Sequence, residues 1–249
     1  MYSLTRIYFL EAYFELVKTL RTPSFVLPSL LFPVMFYLFF GVLFSPPGAS
    51  NTSAYLLATY CTFGVMGPAL FSFGAEVAVE KDRNMLALKQ ISPMPIFAYF
   101  NAKFITSAVF ALIIILSLFT VAATLADVRL STQQWLATMA VLLFGTLPFC
   151  ALGLWLGLTL KAQSAPAVVN LIYLPMSFLS GLWIPLQLFP EFLQKMAFAL
   201  PPYHLAQLTL KVQGLDDGHH WFIHLGALVF ITGFCSIFAY LAFAKQSEA

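Results

Sequence analysis

Charge is scarce in this 249-residue chain. Acidic and basic residues make up 9% of it and apolar residues 61%, whereas about a quarter of an average soluble domain is charged. In water such a chain would expose more apolar surface than it could bury, so the composition excludes a soluble globular domain. A lipid bilayer is the solvent in which this composition is expected. The net charge of +2 gives no indication of nucleic-acid binding.

Motifs typical of enzymes and of disulfide-rich proteins are also missing. Cys61, Cys150 and Cys235 each lie inside an apolar run, so we interpret them as buried small side chains. No G-x-x-x-x-G-K-[ST] sequence occurs, so the chain cannot bind ATP through a P-loop. No base accompanies a serine or cysteine in the apolar segments, so we predict no catalytic residue. We also predict no metal or cofactor in this chain.

Ionisable residues are absent from the middle of every long apolar segment. Ion-coupled carriers usually keep such residues in the membrane, because relays of protons or sodium ions need them. A charge at that depth costs ~2.5–3.5 kcal/mol on insertion scales, so function is the usual reason to retain one. The pattern argues against a secondary transporter. Two alternatives to the interpretation given below remain: a secondary transporter, and a membrane assembly subunit that transports nothing.

Six apolar segments are long enough to cross a hydrocarbon core, which needs about 20 helical residues. We therefore predict an all-α membrane protein with six transmembrane helices and a single domain over residues 1–249. If both termini are cytoplasmic, nine lysines and arginines lie in inner segments and three in outer ones, as the positive-inside rule requires. The spans are expected near 24–44, 54–75, 104–126, 135–160, 166–184 and 221–244.

Residues 1–23 are predicted to form an amphipathic helix in the membrane interface. On a helical wheel the polar side holds Glu11, Glu15, Lys18 and Thr19. These charges also interrupt the segment, so we do not expect a cleavable signal. The apolar arc consists of Ile7, Phe9, Leu10, Tyr13, Phe14, Leu16, Val17 and Leu20.

Residues 185–220 lie between the last two predicted spans and contain a helical stretch, about 188–200, that is too short to cross. Prolines punctuate this stretch, which predicts a re-entrant hairpin on the outer side; an ordinary extracellular loop helix is the alternative. Histidines also gather here, and an i,i+4 pair of histidines can bind metal, but the polar loop around them favours solvated histidines. They are His204, His219, His220 and His224.

Three features together resemble the ABC-2 type permeases, the membrane subunits of type V ATP-binding-cassette exporters. The first is the interfacial helix before span one. The second is the loop EVAVEKDRNMLALKQISPMPIFAYFNAK, in which Glu80-Lys81-Asp82 stand where the family has Glu-Arg-Glu, and Pro93 and Lys103 where it has a proline and a lysine. The third is SGLWIPLQLFPEFLQKMAFALPPYHLAQL, which resembles the family's re-entrant hairpin. Asn84 replaces the family's glycine, and asparagine tolerates positive φ.

The resemblance implies a permease in a bacterial inner membrane that works with two ATPase subunits and a second permease, expected to be identical. ATP and Mg would be bound by the ATPase. The assembly would export an amphiphile, such as a drug, an antibiotic, a lipid or a lipid-linked glycan, and it would contact membrane lipids but no nucleic acid. Its translocation pathway or dimer interface would involve spans two and five. Candidate residues for either role are Asn170, Ser177, Gly153 and Gly157. Gly153 and Gly157 form a G-x-x-x-G pattern in the longest span, which fits a contact within the subunit as well as a dimer contact.

The loop 76–103 would then be the cytoplasmic coupling loop. Residues 76–90 hold six of the 22 charged residues of the chain. We predict that Glu80, Lys81, Asp82 and Arg83 form a charged collar that orients the ATPase. An apolar tip would follow and provide buried area in a groove of that partner. The alternative is a solvated loop whose charges only fix the topology. The tip comprises Met85, Leu86 and Leu88.

Overall fold

The computed structural model describes residues 4–46, 50–91 and 94–247, and within these ranges it contains helices and no strand. Pro93, one of the residues on which the resemblance to ABC-2 type permeases depends, lies outside the described residues. The helices are α1 (Leu4–Leu20), α2 (Pro23–Leu43), α3 (Ser50–Asp82), α4 (Met85–Ile91), α5 (Ile96–Leu125), α6 (Thr132–Thr159), α7 (Ala165–Leu179), α8 (Glu191–Ala197), α9 (Pro201–Gln213) and α10 (Trp221–Ser247).

Five of the described helices, α2, α3, α5, α6 and α10, are long and apolar enough to cross a membrane. The segment expected as the fifth span, 166–184, forms α7, an apolar helix of 15 residues. The prediction of an all-α, multi-pass membrane protein is therefore confirmed. The predicted sixth span is not confirmed by helix length, because α7 is shorter than the five long helices.

Helix α3 forms the centre of the bundle. Its most apolar window is 94% buried, against 17–44% for the other four long helices, so α3 is enclosed while the others each present an outward face. Tyr60, Met66 and Leu70 of α3 are fully buried in one core with Ile114 of α5 and Phe149 of α6. The outward faces of α2, α5 and α10 carry large exposed apolar side chains, as a bilayer requires.

Prolines and π-helical turns bend the spans without dividing them. Pro28 and Pro33 lie inside α2, Pro68 inside α3 and Pro175 inside α7. Helix α6 is interrupted after Phe144 and resumes at Leu147, and Pro148 falls in the first turn of the second half, where its missing N–H costs nothing. The cysteines Cys61, Cys150 and Cys235 are buried and free, which confirms their interpretation.

Two glycines allow α6 to lie directly against α3. A Cβ atom on Gly157 would be 2.2 Å from the carbonyl oxygen of Phe73, and one on Gly153 would be 3.1 Å from that of Leu70. Both obstacles are backbone atoms of the same chain. Gly153 and Gly157 therefore serve a contact within the subunit, and the alternative of a dimer contact is not supported for them.

Helix α1 packs its polar side on the protein. Glu15 and Thr19 are buried, while Phe9, Phe14 and Leu20 on the opposite side are exposed. A helix is therefore present where the sequence predicts one, with its apolar side exposed.

The segment between α7 and α10 is more broken than predicted. The expected helix over about 188–200 is instead a 3-10 turn, Leu186–Leu188, and α8, after which α9 begins at Pro201. Prolines explain the division, because they cannot continue a helix but suit its first turn. Helix α9 is largely buried against α3, α6 and α10.

The solvated environment predicted for the histidines is wrong for two of the four. His204 and His224 are buried, because one face of α9 packs on the start of α10. His219 and His220, in the linker between these helices, are exposed as predicted.

We expect Gly157→Ala to lower the unfolding temperature of the detergent-solubilised protein, because the added methyl group must push α6 away from the backbone of α3. Overpacking of this kind costs about 1–3 kcal/mol. The matched control is Gly226→Ala on α10, where a Cβ atom would meet nothing within 4 Å. Both changes gain the same helix propensity, so equal unfolding temperatures would contradict the close contact.

A candidate functional site at the charged end of α3

Side chains from α1, α3 and α5 form a buried charge cluster, defined by Glu15, Lys18, Glu76, Glu80 and Lys103. The Nζ atom of Lys103 lies 2.7 Å from Glu15 Oε1, 3.1 Å from Glu76 Oε2 and 3.3 Å from Glu80 Oε1. The Lys103 side chain is 0% exposed. A lysine so completely removed from water requires partners of opposite charge, and here three carboxylates provide them.

Lys18 provides a second ammonium group to the same carboxylates. Its Nζ atom lies 2.7 Å from Glu15 Oε1, 2.7 Å from Glu80 Oε1 and 3.5 Å from Glu76 Oε2. Glu80 also accepts a short hydrogen bond from the Tyr99 hydroxyl. Each carboxylate is therefore shared between two cations, and α1 is joined to both α3 and α5.

The charges on α1 are stabilised by this arrangement. Burial alone would raise the pKa of Glu15, but attraction to Lys103 and Lys18 outweighs it and the pKa is lowered. Burial alone would lower the pKa of Lys18, but Glu76, Glu15 and Glu80 raise it instead. Both groups therefore remain ionised at neutral pH, which the electrostatic attraction requires.

The spacing of these residues in the sequence makes the cluster possible. Glu15 and Lys18 are three residues apart in α1, and Glu76 and Glu80 are four apart in α3, so each pair shares one helix face. Sequence reasoning placed Glu15 and Lys18 only on the polar side of an interfacial helix. Their charge pattern marked the face, but nothing local to it indicated Lys103, 88 residues away from Glu15.

The three glutamates have the geometry of a cation site, and a lysine already occupies it. Their carboxylate oxygens lie within 4.8 Å of one another, the one such group of metal-ligating side chains found in the described ranges. The Lys103 ammonium lies 2.7–3.3 Å from all three. It thus fills the position that a metal ion would take.

Two predicted collar residues connect α3 to the loop that follows α6. Lys81 Nζ donates hydrogen bonds to the carbonyl oxygens of Leu158 (2.9 Å) and Leu160 (2.7 Å), at the C-terminal end of α6. Asp82 Oδ2 accepts one from the Ala162 N–H at 2.7 Å. A cation at a helix C-terminus is favourable because it satisfies carbonyls left without an intrahelical partner.

The predicted apolar tip is divided by the structure. Leu86 is 4% exposed and packs in a small core with Val77 and Tyr99, so it belongs to the interior of the subunit. Met85 and Leu88 are exposed, and Ile91, which was not predicted, is the most exposed of the apolar side chains of α4.

Of the two remaining collar residues, Arg83 lies in the turn before α4 and Glu80 does not. Arg83 is exposed, and Asn84 adopts φ of 56°, so the turn that the sequence predicted at this asparagine is confirmed. Glu80, by contrast, lies in the buried charge cluster. Among the predicted coupling residues, then, Arg83, Met85 and Leu88 are accessible to a partner, and Glu80 and Leu86 act inside the chain.

A second feature is an apolar groove of ≈ 750 Å³ between α2, α3 and α7. Aromatic rings form its walls: Phe63 stacks on Tyr173 with ring centres 5.0 Å apart, and Phe36 stacks on Trp183 at 5.7 Å. Asn170 is exposed and lines this groove. Ser177 is fully buried and donates a hydrogen bond to the Tyr173 carbonyl at 2.6 Å, so the structure does not place it on the groove surface.

Comparison with known proteins identifies the class to which this arrangement belongs. A sequence profile described as the ABC-2 type transporter matches residues 9–213. The Bacillus subtilis (strain 168) protein described as "Putative transport permease YvfS" is 32% identical over 192 residues, which cover 76% of this chain and 78% of that relative.

The chain therefore belongs to the ABC-2 type transporter family. Its role is that of a transport permease in a family of multi-pass membrane proteins. Membership also implies partnership with an ABC ATPase subunit. The matched residues include the whole buried charge cluster, α4 and the apolar groove.

We expect Lys103→Met to destabilise the protein strongly, because it leaves the buried Glu15 and the partly buried Glu76 and Glu80 with only the partly exposed Lys18. Removing one partner of a buried ion pair costs about 3–5 kcal/mol. The measurement is chemical unfolding in detergent, with Lys195→Met as control because Lys195 is exposed. A loss no greater than that of the control would show that the cluster contributes little to stability.

Proposed function

We propose that this chain is the permease subunit of an ATP-driven exporter that moves an amphiphilic substrate across a bacterial inner membrane. A separate ATPase subunit supplies the energy and binds ATP and Mg. One observation carries the proposal: helix α4 has an exposed apolar face, and the buried charge cluster lies about one helical turn before α4 in the chain. The face can receive a soluble partner, and the cluster connects it to three helices.

The exposed face of α4 fits a protein groove. Met85, Leu88 and Ile91 recur every three residues and are all exposed, so they lie along one side of the helix. Arg83 is exposed beside them. Apolar side chains in the centre of an interface provide buried area, and a charge at the rim orients the partner. Leu86, on the inner side, anchors α4 to α3 and α5 instead.

Movement of α4 would reach the membrane through α3. The turn at Asn84 connects the two helices directly, and Glu80 lies one turn before it. Glu80 contacts Lys18 of α1 and Lys103 of α5. A displacement of α4 by the ATPase would therefore be shared among α1, α3 and α5, because separating them would expose unpaired buried charges.

The proposed topology has six spans with both termini in the cytoplasm. Helix α7 is the fifth span, and it is the shortest. Helix α1 lies in the interface with its exposed apolar side in lipid, and residues 185–220 form a re-entrant hairpin on the outer side. The charged end of α3 and all of α4 then face the cytoplasm, where an ATPase can reach them.

Two copies of the chain are proposed to meet along the apolar groove, near spans two and five. The groove is open on one side and its aromatic walls provide flat apolar surface, while Asn170 offers a polar group at its edge. This combination suits a molecule with both apolar and polar parts. Asn170, not Ser177, is the position from which engineered cysteines should cross-link between copies.

Docking on α4 is tested by Leu88→Asp, which places a charge in the centre of the exposed face. We expect the variant to insert and fold normally and to lose co-purification with the ATPase subunit, with at least a tenfold drop in bound partner. Leu188→Asp is the control, because Leu188 is also exposed but lies in the segment between α7 and α10. Leu86→Ala and Glu80→Ala are poorer tests, since both residues have contacts inside the chain.

Retention of the ATPase by Leu88→Asp would overturn the docking role. In that case the alternative would hold, in which this loop is solvated and does not couple the chain to an ATPase. Absence of any associated ATPase, with a folded wild-type protein, would favour one of the alternatives, a secondary transporter or a membrane assembly subunit.

The topology is tested with single cysteines in a background without Cys61, Cys150 and Cys235. Ser131→Cys and Asp217→Cys should react with a membrane-impermeant thiol reagent in intact cells, because both positions are exposed and lie on the proposed outer side. Lys89→Cys should react only after the cells are opened. Labelling of residue 89 in intact cells would reverse the assignment.

A further inference from the structure

Two histidines from different helices point the same ring nitrogen at each other in the buried contact between α9 and α10. Nδ1 of His204 and Nδ1 of His224 are 3.0 Å apart, and the two residues are 2% and 1% exposed. His204 belongs to α9 and His224 to the first turns of α10. Neither the buried charge cluster nor the apolar groove includes them.

A backbone carbonyl determines which nitrogen of His204 is available. Its Nε2 lies 2.8 Å from the Phe198 carbonyl oxygen, which can only accept, so Nε2 carries the hydrogen. In neutral His204 the lone pair is therefore on Nδ1, directed at His224. Metal-binding histidines are typically held in this way, with the second ring N–H donated to a carbonyl or carboxylate.

We propose that His204 and His224 bind a divalent transition metal ion of the zinc type through their Nδ1 atoms. Imidazole nitrogens are preferred ligands of Zn²⁺, Cu²⁺ and Ni²⁺. In a tetrahedral site with bonds of about 2.0–2.1 Å, two nitrogens are roughly 3.3 Å apart, so the rings need to separate by only about 0.3 Å. Without metal, His224 Nδ1–H donates to His204 Nδ1. To bind a metal through Nδ1, His224 takes its other neutral tautomer, with the hydrogen on Nε2, so no net proton is released.

Other polar and charged groups lie close to the pair. A polar pocket of ≈ 220 Å³, lined by His219, Asp217 and Tyr203, lies beside the pair. The ring centre of His219 is 6.2 Å from that of His224. The nearby charged groups are Asp216, Asp217 and Lys211, and Lys211 is already paired with Asp216 at 2.7 Å.

A metal in this position would fasten α9 to the start of α10. A metal ion that binds the folded state and not the unfolded state stabilises the folded state. The gain in stability grows with the metal concentration relative to Kd. The hairpin before the last helix would thus be held more firmly when metal is present. This property does not depend on the ATPase or on transport, so its test can fail without affecting the proposed function.

The test uses the full chain, purified in detergent with a tag that contains no histidine and treated with a chelator. Addition of Zn²⁺ should raise the unfolding temperature of the wild type, and His204→Gln and His224→Gln should each abolish that rise. His220→Gln is the matched control, because His220 is exposed and its ring stacks only on Phe222. The control should keep the full rise.

Cu²⁺ bound to the wild-type protein gives a measurement that needs no variant. Its electron paramagnetic resonance spectrum should show coupling to at least two imidazole nitrogens. No rise with Zn²⁺, or an equal rise in His204→Gln and His220→Gln, would overturn the proposal and leave the pair as an N–H···N hydrogen bond. A copper spectrum without coupling to nitrogen would do the same.

Discussion

The structure depends on the pairing of one lysine that has no contact with water. Lys103 is fully buried, and its ammonium group is compatible with that position only because Glu15, Glu76 and Glu80 surround it. An unpaired charge there would cost several kcal/mol. The three helices that supply these residues must therefore come together at one end of the bundle, and these charges join α1 to the spans.

The rest of the bundle is arranged around α3, which carries two of the three carboxylates. Its sides are enclosed by apolar contacts along most of its length, and the glycines of α6 bring that helix directly onto its backbone. At the charged end, Lys81 and Asp82 connect α3 to the loop after α6. The helix that leads directly into α4, where the ATPase docks in our proposal, is consequently attached to α1, α5 and α6.

Much of the architecture could be predicted from the sequence because it follows from local patterns. Long apolar runs predicted three of the five long helices, α2, α6 and α10, nearly at their observed positions. Helix α3 differs mainly because it continues through Asp82, and α5 because it begins earlier, at Ile96. The polar and apolar sides of α1 followed from its periodicity. The turn at Asn84 followed from the tolerance of asparagine for positive φ.

The parts that could not be predicted are those decided by contacts between distant residues. Leu86 looks like its neighbour Leu88 in the sequence, and only the packing of α4 on Val77 and Tyr99 makes one internal and the other exposed. The same holds for Gly153 and Gly157, whose partner could have been another subunit. His204 and His224 are 20 residues apart and were assigned to solvent, because the burial of α9 arises from three helices that surround it.

The central claim, that buried charges join α1 to the spans, is tested most directly by a double-mutant cycle. Lys103→Met and Glu15→Gln would be measured singly and together by chemical unfolding in detergent. If the two residues stabilise one another, the double variant should lose less stability than the sum of the single losses, by more than about 1 kcal/mol. Additivity to within about 0.3–0.5 kcal/mol would contradict the account.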